Sequence, residues 1–415
     1  MKIIHITASY KPAYIYGGPI QSVGKLCETL VGLTVSVEGL GIQDIQVLTT
    51  TANGQNELEV TTNKPISIDG VSVTYYKRLT KDHSHFSPGL LWGLRKEILH
   101  CTQDDKPGAQ GGNKIETPKL IIHIHAWWNL VSLLSCFIAK WYKIPVVLSP
   151  RGMLTAYSLG NRNSFSKRII HKLMGKQLLN YCHFHATSEQ EKTDILKIVK
   201  PKSIRVIPNL VSLPLIEEKY ETLGASGIKQ ETKSGDQHDS FKLIFLSRIE
   251  EKKGLELLFN ALATIDISWR LTIAGSGEKQ YVQSLKLLAR ELQLSDKIYW
   301  IGQVSNENKY SLMAAHDLLV LTSYNENFAN VVIESLSVGT PVLIGEQVGL
   351  SDYVKSKAFG WITGLETATI KKNIIEAYQS QEKRRNIRNI TPLTVRRDFS
   401  DDALAKEYLE YYKTI

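Results

Sequence analysis

Short apolar runs bounded by polar turns recur along the whole chain, and between them apolar residues stand three and four positions apart. Continuous runs of this length suit parallel strands buried on both faces, and the three-four spacing marks helices with one face on a sheet. In the first half the predicted strands are residues 3–7, 45–50, 71–76, 120–125, 146–149, 184–188 and 204–208. The second half repeats the scheme at 243–247, 271–274, 298–301, 318–322, 342–344 and 361–363. This alternation predicts an α/β chain of two doubly wound, Rossmann-like domains in tandem.

The boundaries expected are 1–210 and 211–395, with a last helical segment, 396–415, carrying Phe399, Leu404, Tyr408, Leu409 and Tyr412 on one stripe. Residues 216–240 are polar and read as a linker or surface excursion, and 51–69 and 102–118 read as loops. At 415 residues, with 43% hydrophobic and 22% charged residues, the chain is globular in composition and too long for a single core.

Cys27, Cys101, Cys136 and Cys182 are too scattered for a disulfide framework or a zinc site, which fits a reducing cytoplasm. Residues 1–8 hold too short an apolar run for a signal peptide, and 129–148 is broken by Lys140, Lys143 and Pro145, so no membrane span is expected. The net charge of +9 is uneven: residues 1–205 hold 25 Lys/Arg against 14 Asp/Glu, the rest 25 against 27. A basic first half suits an anionic partner, be it a membrane surface, an acidic or phosphate-bearing substrate or nucleic acid, or merely a soluble surface. The apolar stripe Phe165, Ile169, Ile170, Leu173 and Met174, flanked by Lys167, Arg168, Lys172 and Lys176, suits anionic lipid or core packing.

Chemistry concentrates where strands give way to helices. In LLVLTSYNENFANVVIESLSVGTPVLIGE, residues 318–346, a strand ends before Glu326, a helix is expected from near Asn330, and Glu334 lies about one turn inside it. Such a helix start aims amide N–H groups at the crevice beyond the strand, with the two carboxylates about 12 Å apart if the intervening chain is helical. They serve either to hold hydroxyls or to complement the helix dipole. Arg248 leaves an earlier strand, and Lys253-Gly254 opens the next helix, where cations oppose the dipole and a bound diphosphate explains them better. The turns at Gly275 and at Gly302-Gln303-Val304 can approach a base or ribose.

In the first half, Gly17-Gly18 before a helix allows close backbone approach to a ligand or a plain tight turn. It is not the dinucleotide fingerprint. His123 and His125 share a strand face, as ligands or as structural residues, and Arg151 follows the next strand as a ligand cation or a loop ion-pair partner. His183 and His185 read as strand residues. There is no Asp-x-Asp pair, and no acidic or cysteine partner stands near the histidines, so no catalytic metal is expected.

Together, Gly17-Gly18, His125, Arg248 with Lys253-Gly254, and Glu326 with seven residues before Glu334 resemble the retaining family 4 glycosyltransferases of the GT-B fold. The resemblance covers nearly the whole chain. It implies two Rossmann-like domains facing a central cleft, with the acceptor held mostly by the first and a nucleotide-sugar donor, UDP- or GDP-linked, mostly by the second. Arg248 and Lys253 would neutralise the donor diphosphate, helped by Gly18 and by amides near Phe328, Ala329 and Asn330. Glu334 would take the ribose hydroxyls and Glu326 those of the transferred sugar, with His125 facing that sugar. Retention would follow from front-face attack, the leaving phosphate taking the acceptor's proton, with no cofactor or metal.

The final helix would cross back to the first domain. The implied protein is cytoplasmic, peripheral at the inner face of the plasma membrane, and uses a saccharide or lipid-linked acceptor in bacterial surface polysaccharide synthesis. No aromatic-basic reading surface is visible in the basic half, so no nucleic-acid partner is expected. A sugar-nucleotide epimerase and a non-catalytic nucleotide-sugar binder are the competing readings. Two departures stand out: Asn327 and Ala329 replace the glycines of the usual Glu-Gly-Phe-Gly, and Ser247 replaces a glycine before Arg248.

Overall fold

The computed structural model describes residues 1–36, 43–102, 119–155, 175–214 and 240–415. They form two compact units, one of Met1–Leu210 with Asp401–Ile415 and one of Val211–Ser400. The stripe at 165–174 lies outside the described residues. So do the polar stretches 102–118 and 216–240, except Thr102 and Ser240.

The first unit contains strands β1 (Lys2–Ile6), β2 (Asp44–Thr50), β3 (Ala52–Asn53), β4 (Asn56–Glu57), β5 (Pro65–Ile68), β6 (Val71–Tyr76), β7 (Leu120–His125), β8 (Val146–Ser149), β9 (His183–Ala186) and β10 (Ile204–Val206). Among the described residues its main sheet runs β10-β9-β8-β7-β1-β2-β6-β5, parallel except where β5 meets β6. The segment 51–69, expected as loop, contains β3, β4 and β5. β3 and β4 are two residues each, with Ala52 their one apolar residue, and β5 is a half-exposed edge strand, so none offers a buried apolar run to read.

The second unit contains β11 (Phe241–Leu246), β12 (Trp269–Ala274), β13 (Ile298–Gly302), β14 (Leu318–Leu321), β15 (Val342–Gly345) and β16 (Gly360–Thr363), in the order β13-β12-β11-β14-β15-β16. All pairings there are parallel. Every residue of β7 and β14 is buried, as the apolar run of β14 demands, while β7 also buries His123 and His125.

Both sheets start in the middle and are wound outward in two directions. The order reverses between β1 and β7 in one and between β11 and β14 in the other. Connections leaving the carboxyl ends of such neighbouring strands part to opposite faces and open a crevice for ligands. The carboxyl-terminal stripe divides at Ser400. Phe399 packs in the second unit against Phe328 and Tyr353, whereas Leu404, Tyr408, Leu409 and Tyr412 on helix Asp401–Thr414 are buried in the first.

Candidate active site

At the switch point of the second unit, two loops are stitched edge to edge. After β11 the chain passes through Arg248 and a single 3-10 turn, Glu251–Lys253, to Gly254 and helix Leu255–Leu262. Gly254 has φ 64°, and a Cβ there would stand 2.3 Å from the Thr322 carbonyl oxygen, so only glycine fits. Thr322 Oγ1 donates to the Gly254 carbonyl at 2.9 Å, and Tyr324 N–H donates to the Lys252 carbonyl at 2.9 Å. From the far side, Glu326 N–H donates to the Gln347 carbonyl at 3.0 Å while its own carbonyl accepts from Gly349 at 2.8 Å.

This stitching brings Lys253 Nζ into a hydrogen-bonded ion pair with Glu326 Oε1. Lys252 Nζ lies 3.7 Å from the same oxygen, and Arg248 Nη1 lies 2.7 Å from Glu250 Oε1. Three cations therefore share two carboxylates, an excess of one positive charge. Burial is the largest influence on the pair. It pushes Lys253 down, against the pull of Glu326, and it opposes ionisation of Glu326, which Lys253 and Lys252 still hold below the usual carboxylate range.

Helix Asn330–Ser337 begins where the spacing predicted. Glu326 lies before it in a loop, so the helical distance between the two glutamates does not apply. Glu334 is not part of the Glu326 cluster among the described residues: it is 5% exposed and pairs with Lys309 Nζ at 2.8 Å. Lys309 was missed in the sequence. The signal was there, for Lys309 shares the inner face of helix Asn306–Ala314 with Leu312 and Met313, an odd place for an ammonium group.

Among the other candidates of this unit, Phe328 is buried 6.1 Å from Phe399, and Ala329 adopts φ 66° immediately before the helix. Gly275 has φ 148°, and a Cβ would meet the Ser247 carbonyl oxygen at 1.9 Å. Its absent side chain thus seats the loop that carries Arg248. Val304 is half-buried in the loop leading to the Lys309 helix.

In the first unit, Gly17 has φ 72° and Gly18 begins helix Gly18–Ser36. His125, 1% exposed, does not stand open: its Nε2 is 3.0 Å from His5 Nδ1 and its Nδ1 is 3.4 Å from Arg151 Nη2. His5 went unnoticed in the sequence because only strand pairing, which sets it opposite His123, reveals it. His5, His123 and His125 have nitrogens within 4.8 Å of one another, close to a metal-ligand spacing. Two features oppose a metal ion there. The permanent cation Arg151 adjoins the group, and both His123 nitrogens are engaged, by Tyr412 OH at 2.6 Å and Ser149 Oγ at 2.7 Å.

The proton positions follow from one fixed acceptor. The Ile207 carbonyl, 2.8 Å from His185 Nε2, can only accept, so Nε2 carries the proton and faces the Tyr408 hydroxyl oxygen, 2.9 Å away, as a donor too. His185 Nδ1 therefore accepts from Ser149 Oγ, 2.6 Å away, which accepts from His123 Nε2–H, leaving His123 Nδ1 to accept from Tyr412 OH. Burial keeps these imidazoles neutral, with His5 and His185 pushed down to about 3.

The family model for glycosyl transferases group 1 matches residues 228–393, and that for glycosyltransferase family 4 matches 37–214. The chain belongs to glycosyltransferase family 4. This glycosyltransferase is 25% identical to an uncharacterized glycosyltransferase of Methanocaldococcus jannaschii, over 100% of this chain and 98% of that protein. It is 29% identical to the GDP-mannose:cellobiosyl-diphosphopolyprenol alpha-mannosyltransferase of Xanthomonas campestris, over 54% of this chain and 55% of the relative. The solved structure of Anabaena HepE in complex with UDP and glucose covers 100% of both chains with a TM-score of 0.68 at 16% identity. The fold is thus that of the GT-B glycosyltransferases, built from two Rossmann-like units.

Proposed function

We propose that this glycosyltransferase moves a hexose-type sugar from a UDP- or GDP-linked donor to a saccharide or lipid-linked saccharide, retaining anomeric configuration and using no metal. The observation that carries the reading is the cluster of Arg248, Lys252 and Lys253 around Glu250 and Glu326 at the β11/β14 switch point. An excess cation held by rigid loops is ready to take up the charge that develops on a departing diphosphate. Arg248 and Lys253 would carry that charge with the helix amides near Phe328, Ala329 and Asn330. Glu326, kept ionised, would accept from sugar hydroxyls and Glu334 from the ribose, while Gly275 and Val304 would border the base. Gly17, Gly18 and His125 would serve from the first unit, with Arg151 on the acceptor side.

The leaving phosphate would take the acceptor's proton, so Glu326 need not be a nucleophile. The donor named for the Xanthomonas relative and the ligands of the Anabaena complex support a nucleotide sugar, and the diphosphopolyprenol in that relative's name supports a lipid-linked acceptor. A role in bacterial surface polysaccharide synthesis completes the proposal. Peripheral membrane contact on the cytoplasmic side fits the exposed Trp92, Phe137 and Trp141. Arg95, Lys96, Lys140 and Lys143 flank them, and none of the four forms an ion pair among the described residues. Among the described residues no helix is long and apolar enough to cross a membrane.

The test is donor hydrolysis or transfer over a broad acceptor panel. Turnover that is lost in Glu326→Ala and Arg248→Ala supports an enzyme working through this cluster. Donor binding without turnover on any acceptor would mark a non-catalytic binder instead.

A further inference from the structure

Among the described residues Arg151 is a cation with no carboxylate in direct contact. It leaves β8 in left-handed backbone, φ 53°, followed by Gly152 at φ 76°. The side chain is half-buried, and no ion pair reaches it among the described residues. Nη1 donates to Ser22 Oγ at 3.1 Å and to Asn209 Oδ1 at 2.9 Å, both neutral. Glu191, the nearby acid, is committed elsewhere. It accepts from Gly152 N–H at 2.7 Å, Thr187 N–H at 2.7 Å and Thr187 Oγ1 at 3.0 Å.

The guanidinium's other edge, Nε with Nη2, is the side-on fork that matches two oxygens of a carboxylate or phosphate. Among the described residues Nε is buried with no hydrogen-bond partner, and Nη2 has only the long 3.4 Å contact to His125. Glu191 offsets part of this charge through space, but among the described residues no carboxylate meets the fork directly, and desolvating a guanidinium without a paired anion is costly.

Resting on the transferase reading above, we propose that the Nε/Nη2 fork of Arg151 binds an anionic group of the acceptor, a phosphate ester being the best geometric match. Ser22 and Asn209 hold the guanidinium from behind through Nη1. The acceptor class is then a phosphorylated saccharide or lipid phosphate rather than a neutral sugar.

The experiment follows melting temperature in the full-length protein at constant ionic strength, titrating inorganic phosphate or a soluble sugar 1-phosphate. Wild type, Arg151→Gln, Arg151→Lys and Arg248→Ala are compared, the last removing the other anion candidate. The expected result is a saturable rise in wild type and in Arg248→Ala, greater for the phosphate ester than for inorganic phosphate. In Arg151→Gln the ester's affinity falls about tenfold or more. Ligand-free Arg151→Gln should melt at or near the wild-type temperature, because no direct ion pair among the described residues is lost.

A rise that survives Arg151→Gln, no rise in wild type, or inorganic phosphate binding as tightly as the ester would each overturn the assignment. If Arg151→Gln melts well below wild type, the guanidinium is structural, and the proposal fails on that measurement alone. UDP titrated into the same variants separates the two readings. A UDP shift lost only in Arg248→Ala keeps the donor reading whatever happens at Arg151.

Discussion

Lys253 and Glu326 face each other almost out of water, so removing either strands a charge. Glu326→Ala should cost about 3–5 kcal/mol in urea unfolding, and Lys253→Met added to it should recover much of that. Additive losses would mean that the two groups do not depend on each other. Ala329 poses a different problem. Its φ of 66° costs a residue with a Cβ about 1–2 kcal/mol, and glycine gives back part of the gain through a freer unfolded chain. Ala329→Gly should therefore raise stability by up to about 1 kcal/mol by thermal unfolding. The motif glutamates and cations were legible because ionisable groups beside strand ends are conspicuous in a line of text. Lys309 and His5 were not, because the partners that define them are distant in sequence and meet them only through packing and strand register.

Buried histidines also give the first unit a pH dependence of definite sign. His5 and His185 have folded pKa values of about 3, below the 6.5 of an open chain, so the unfolded state binds the extra protons. Their contribution is whole above pH 6.5 and is lost as pH falls toward 3, at about 1.4 kcal/mol per pH unit for each. Between pH 7 and 5, above the carboxylate range, the urea midpoint should drop. A flat profile would mean that the two imidazoles are not desolvated.

Helix Asp401–Thr414 is bound to the first unit through polar anchors as well as its apolar stripe. Tyr412 OH meets His123, Tyr408 OH lies 2.9 Å from His185, and Tyr411 OH donates to the Phe184 carbonyl at 2.8 Å. Tyr412→Phe keeps the ring but leaves His123 Nδ1 buried without a donor, and should cost about 1–3 kcal/mol. No loss in denaturant unfolding would show that water replaces the hydroxyl. The stripe itself was readable from its spacing, but its division between the units at Ser400 was not, since period alone does not say what a helix packs against. On helices Pro88–Thr102 and Leu130–Trp141, Trp92 and Trp141 can be changed together to serine with little effect on folding, because both are exposed. That variant should lose flotation with anionic vesicles. Unchanged flotation, or none in wild type, would count against membrane contact through this face.

Taken whole, the chain repeats one scheme twice, and the repetition was plain because a parallel strand buried on both faces needs an unbroken apolar run. What the text withheld was where the sheets reverse order. That reversal sets the end of β11 beside β14, and with it Arg248 and Lys253 beside Glu326. The central claim is that this junction holds a nucleotide diphosphate. The direct measurement is a thermal-shift panel of UDP- and GDP-sugars on wild type and Arg248→Ala. One donor at a hundred times its Kd should add about 2.7 kcal/mol of stability to wild type and far less to the variant. No shift with any nucleotide sugar, or an equal shift in both proteins, would contradict it.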